Sequence, residues 1–154
     1  MEQESNTTRK MLSRVPEDKF GWQPHPRSMT LGRLATHVAE LPGWVSMTLH
    51  TSDLDLGGDF KPYVADSSAE LMRYFEESLA KGRDDLKAAD EGELDKEWAL
   101  LNGGHVVSVQ CKAEVIRMAY CQVVHHRAQL GVFLRLLDVP IPGSYGPSAD
   151  EDGF

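Results

Sequence analysis

Two histidines sit in apolar helical settings far apart along the chain, His37 in TLGRLATHVAELPGW and His126 in CQVVHHRAQLGVFLRLLDV. Helices that turn imidazoles inward can meet around one metal ion. Zinc and nickel accept neutral imidazole, and bundle interiors are common places for such sites. On an ideal wheel of about 100° per residue, His126 falls in the middle of an apolar arc. That arc holds Val115, Ala119, Val123, Leu130, Phe133, Leu134 and Leu137, with Glu114, Arg117, Arg127, Arg135 and Asp138 opposite. Gln122 and Gln129 lie on the flank, Gln122 one turn before His126. His125 lies further round, one turn from Cys121. His37 falls at the margin of its own stripe, beside Leu34 and Leu41, with Arg33 and Glu40 on its other side. His37 and Glu40 are three apart and share a face.

A lone histidine on an apolar helix face is more often a hydrogen-bonded core residue than a ligand. The two glutamines, likewise, could serve only to satisfy buried imidazole nitrogens. The coincidence of two inward histidines, with a long polar residue one turn before the second, shifts the balance toward a metal. Other candidates are weaker. Trp22, Trp44 and Trp98 could line a pocket but equally a core. His25, His50 and His105 read as surface residues. Cys121 and His125 have the spacing of a thiolate–imidazole pair, yet a small cysteine on a helix face is usually packing. No phosphate-cradling glycine loop or nucleophile elbow is present.

Four helical segments position these residues. The first is expected from Glu2 to about Val15, closed by Pro16. The second follows Ser28 as N-cap and runs to about His50, with Leu31, Leu34, Val38, Leu41 and Val45 inward. Pro42 inside it predicts a kink rather than an end. A long polar connection, TSDLDLGGDFKPYVADSS, leads to a third helix from about Ser68 to Ala89. WALLNGGHVVSV reads as a small hairpin around an Asn-Gly turn. The fourth helix spans about Ala113 to Asp138, ended by Pro140 and Pro142. The acidic tail, about 147–154, is expected to be partly mobile. The architecture that follows is all-α, a four-helix bundle with one small β-hairpin before the last helix, in a single domain over 1–154.

Composition narrows the function classes. A net charge of -8 offers no concentrated basic face for nucleic acid or an anionic membrane. No stretch approaches the ~20 apolar residues of a membrane span, and MEQESNTTRK has no apolar core of a secretory signal. Cys111 and Cys121, ten residues apart near or on one helix, would be separated by about 15 Å, beyond disulfide reach. Free thiols and a reducing, cytoplasmic compartment are therefore expected.

The strings PEDKFGWQPHPRSMTLGRLATHVAELPGW and WALLNGGHVVSVQCKAEVIRMAYCQVVHHRAQLGVFLRLLDVPIPGSYGPSADE closely resemble the DinB family of bacterial damage-inducible proteins, from about Thr8 to Glu151. The resemblance implies a four-helix bundle, usually a homodimer, grouped with metal-dependent hydrolases and with transferases of low-molecular-weight thiols. It implies a divalent metal, zinc or nickel, on three histidines: one from the second helix and two at an HxxxH spacing on the fourth. His37 matches the first and His126 the last. The middle position is filled by Gln122, whose amide oxygen is a poorer donor for these metals. Two functions follow. One is a hydrolase or thiol transferase with Glu40 as a second-shell carboxylate or base. The other is a non-catalytic stress-response or binding dimer with a degraded metal site.

Overall fold

The computed structural model describes residues 1–57 and 61–152. Six helices and three strands follow in order: α1 Glu2–Leu12, α2 Leu31–Glu40, α3 Gly43–His50, β1 Asp53–Asp55, α4 Ser68–Ala88, α5 Glu91–Leu94, β2 Glu97–Asn102, β3 His105–Cys111 and α6 Lys112–Leu136. The four-helix bundle consists of α1, the α2–α3 pair, α4 and α6.

The apolar stripes expected from spacing are the core. Leu31, Leu34, Val38, Leu41 and Val45 are each at most 2% exposed, and Leu71, Phe75, Leu79, Val115, Ala119, Val123, Leu130 and Leu134 are also buried. Local polar groups set the helix starts. Thr30, not Ser28, caps α2: its hydroxyl accepts the Arg33 N–H at 3.2 Å. Ser67 caps α4 by accepting the Glu70 N–H, and the Glu70 carboxylate returns to the Asp66 N–H.

Several boundaries depart from expectation. α1 stops at Leu12, and Val15 packs into the core from beyond it. Pro42 ends one helix and starts another instead of merely kinking it, since α3 begins at Gly43 with Pro42 as its cap residue. α4 fits closely against this break: a Cβ on Gly82 would lie 2.3 Å from the Pro42 carbonyl oxygen. The connection after α3 is not wholly irregular. β1 runs parallel to β2, so the hairpin becomes a three-stranded sheet of order β1-β2-β3. Residues 58–60 of that connection lie outside the described residues. The hairpin turns on Gly103 and Gly104, both at positive φ, one residue later than the Asn-Gly reading. Asp55 locks it, accepting the N–H groups of Gly57, Gly103 and Gly104 at 2.8 Å each.

The stop of α6 comes before the prolines. Asp138 adopts a left-handed conformation at φ 56°, and the Val139 N–H returns to the Leu134 carbonyl. The acidic tail makes specific contacts as far as Glu151. Ser148 donates its hydroxyl to the Ile141 carbonyl and accepts the N–H groups of Asp150 and Glu151. Asp150 takes the Ile141 N–H and pairs with Arg135, and Glu151 pairs with Arg14 at 2.7 Å.

The largest correction concerns Arg127, placed opposite the apolar arc by the ideal wheel. It is 2% exposed. Its guanidinium donates to the Glu4 carbonyl, the Thr8 hydroxyl and the Tyr145 hydroxyl, and lies 2.8 Å from the Glu4 carboxylate. The wheel describes one helix. It cannot show that α1 and the C-terminal segment cover the far side of α6.

Candidate functional site

α2 and α6 bring His37 and His126 together, with ring centroids 4.6 Å apart and planes at 70°. Each imidazole is oriented by a residue three positions later on its own helix. His37 Nδ1 lies 2.5 Å from Glu40 Oε1, and His126 Nδ1 lies 2.8 Å from Gln129 Oε1. An acceptor oxygen at Nδ1 places the ring proton there and leaves the Nε2 lone pair available. Among the described residues no hydrogen bond reaches either Nε2. Histidine ligands are commonly fixed in this way, by a carboxylate or carbonyl on the nitrogen that does not bind. The signal was present in the sequence as a repeated pattern, His37-Val38-Ala39-Glu40 and His126-Arg127-Ala128-Gln129.

Burial pushes the His126 pKa down, aided by the fields of His37, His125 and Arg33 and opposed by the Gln129 hydrogen bond. The shift favours the neutral ring over the charged one, and the neutral ring is the form that can bind a metal. His37 and Glu40 are both 17% exposed at the side chain, so the cluster sits at the margin of the bundle. Arg33 closes the group. Its Nη2 is 3.5 Å from the same Glu40 oxygen that serves His37, and its Nη1 is buried with no hydrogen-bond partner among the described residues.

Gln122 occupies the half-buried position one turn before His126, but among the described residues it makes no hydrogen bond to either imidazole. Gln129, not Gln122, is the glutamine that engages His126. His125 is exposed, its ring 4.8 Å from that of His126. Among the described residues no group of three or more His, Cys, Asp or Glu side chains is arranged to hold a metal ion.

The other candidates lie elsewhere. His25, His50 and His105 are exposed, as expected. Cys111 and Cys121 are free thiols, and Cys121 is exposed beside Arg117 at 3.8 Å. Trp98 is core, its indole N–H donating to Thr51, and Trp22 packs edge-on against Phe133. Trp44 does line a cleft. The cleft holds about 400 Å³ between α2–α3 and α4, with Glu40, Met47, Leu54, Tyr74 and Lys81 among its walls.

A search of known protein-family models finds no match to the chain. Its architecture is nevertheless shared. A DinB-like protein from Bacillus cereus ATCC 10987 superposes with a TM-score of 0.71 at 21% identity, covering 94% of this chain and 92% of that one. The chain has the DinB-like fold. A second DinB-like protein, YjoA of Bacillus subtilis, superposes at 0.65 with 16% identity, over 90% of this chain and 91% of its own. In sequence, the chain is 24% identical over 152 residues to the uncharacterized protein YrdA of Bacillus subtilis strain 168, covering 96% of this chain and 85% of that protein. The elements that carry His37 and His126 are thus parts of a recurrent DinB-like bundle. Among the described residues, no helix is long and apolar enough to cross a membrane.

Proposed function

We propose that the chain is a DinB-like metal-dependent protein in which His37 and His126 hold a divalent transition metal, zinc or nickel, through Nε2. The observation that carries this reading is the repeated contact at Nδ1: Glu40 and Gln129 each hold one imidazole there and leave its other nitrogen open. In this role Glu40 is a positioning residue for His37. Gln122 is the weak third position. A bound divalent ion supplies Lewis acidity, lowering the pKa of a water or thiol at the open place, which suits hydrolysis or thiol transfer. The cleft beside Glu40 would admit a small molecule or a low-molecular-weight thiol. The resemblance to DinB proteins supports a cytoplasmic homodimer, and a net charge of -8 disfavours nucleic acid as a partner.

One observation favours a second reading, a non-catalytic stress-response or binding dimer with a degraded metal site. By the resemblance Gln122 takes the place of the third imidazole, and among the described residues no group of three or more His, Cys, Asp or Glu side chains could hold a metal ion.

Zinc and nickel titration of the dialysed protein, by calorimetry, tests the first reading. Near-stoichiometric binding, lost in His37→Ala and in His126→Ala, supports it. A protein that takes up no metal sinks it and leaves the second. Gln122→His is expected to tighten the metal at least about tenfold, because an imidazole replaces an amide oxygen.

A further inference from the structure

We propose that Arg33 and the cleft beside Glu40 form a seat for a small organic anion, with its carboxylate on Arg33 and an aromatic body against Trp44 and Tyr74. The seat belongs to the site described above and deepens that reading, but it needs no metal ion.

The polar half of the seat is a guanidinium with a donor to spare. Among the described residues, Arg33 Nη1 is buried without a hydrogen-bond partner. Its nearest counter-charge, Glu40 Oε1, is 3.5 Å from Nη2, and that oxygen is already taken by His37 Nδ1 at 2.5 Å. A guanidinium presents five donors in a planar fork that matches a carboxylate. An unsatisfied buried donor is costly, and a ligand oxygen that draws the fork toward solvent removes the cost. The Arg33 side chain is 22% exposed, so a path to solvent exists.

The apolar half is the cleft. Its volume, about 400 Å³, lies within the range of small-molecule sites. Trp44, Met47, Leu54 and Tyr74 give it an apolar and aromatic lining. Two residues join it to Arg33. Glu40 lines the cleft and faces the guanidinium, and Tyr74 lines the cleft within the fields of both Glu40 and Arg33. The remaining charges at the cleft are Glu77 and Lys81, one helical turn apart on α4 and of opposite sign. Glu40 is shared between His37 and Arg33. Arg33 supplies the open donor of the guanidinium fork, and that fork selects an anion.

The test uses the full chain in EDTA and three probes of one shape: phenylacetate, 2-phenylethanol and 2-phenylethylammonium. Binding is read by NMR from the Trp44 indole and Arg33 Nε–H signals. Phenylacetate is expected to shift both and to bind at least about tenfold more tightly than the alcohol, as a charge-assisted hydrogen bond implies. Arg33→Met should bring phenylacetate down to the level of the alcohol, and Glu40→Gln, which removes the competing carboxylate, should tighten it. Equal affinity for alcohol and carboxylate, preference for the ammonium, or an unchanged Kd in Arg33→Met overturns the proposal. If Arg33→Met does not fold, Arg33→Lys keeps the charge but loses the fork and should give an intermediate Kd; an unchanged Kd there also overturns it. Because EDTA excludes metal, failure of zinc to bind leaves this seat standing, and loss of phenylacetate binding leaves the imidazole pair untouched.

Discussion

His126 and Arg127 are neighbours on α6 and belong to opposite kinds of polar cluster. Arg127 is fully buried, and its guanidinium finds Glu4, Thr8 and Tyr145. His126 is half-buried, has one partner at Nδ1 and none at Nε2, and faces a second imidazole in the same state. Buried charge is tolerated where it is paired and hydrogen-bonded, and removing one partner is then expensive. Polar groups left open near a cleft contribute little to stability and remain available for chemistry. The contrast separates a polar cluster that holds helices together from one whose imidazoles keep an open nitrogen, as the proposed metal site would need.

The sharpest way to break this comparison is to remove each side chain in turn. Arg127→Ala strands the Glu4 and Thr8 groups and should cost about 3–5 kcal/mol in urea unfolding. Gly82→Ala tests the rigidity of the junction after α2: its Cβ meets the Pro42 carbonyl oxygen at 2.3 Å, a backbone clash expected to cost about 1–3 kcal/mol. It should also disturb zinc binding if the α2–α3 break sets the position of His37.

A third test extends the rule to another buried cation. Lys112 is 5% exposed and donates to the Leu49 carbonyl and to Glu93. Lys112, with Lys96, holds the Glu93 carboxyl down to about 2. A carboxyl pKa lowered by folding stabilises the native state above its unfolded value of about 4.3. That stability is lost as pH falls from there through about 2. Thermal unfolding between pH 6 and pH 2.5 should therefore show a shallower acid loss in Glu93→Gln than in the native sequence; identical slopes would mean that the pair adds nothing. The smallest change is expected from His126→Ala, less than about 1 kcal/mol in the metal-free protein. A cost matching that of Arg127→Ala would erase the distinction.

Much of this was legible in the sequence. The stripe from Leu31 to Val45 gave the helical span and its buried face, but read as one kinked helix what Pro42 divides into α2 and α3. The stripe on α6 gave the direction of His126, and the meeting of His37 with His126 followed from both. Arg127 was misplaced because periodicity on one helix carries no information about what covers its other side. Gln122 was favoured over Gln129 because it fills an expected ligand position. The hydrogen bond that forms goes to Gln129, matching the i,i+3 geometry already noted for His37 and Glu40. Arg33 could be placed on the right face, yet nothing in its spacing revealed an N–H without a partner. β1 escaped notice because three residues, Asp53–Asp55, give too short a pattern to distinguish a strand from a polar loop.

The C-terminal segment bears on how the chain is made. Tyr145, through Arg127 and Glu4, and Glu151, through Arg14, secure the first helix with residues from the far end of the sequence. During synthesis α1 is made more than a hundred residues before these polar anchors. Contacts this distant form late, because the intervening chain must first be drawn together. The first helix therefore cannot be locked in place until Tyr145 and Glu151 have joined the fold, and a chain cut just before Tyr145 should leave α1 more readily attacked by protease than α2, α4 or α6.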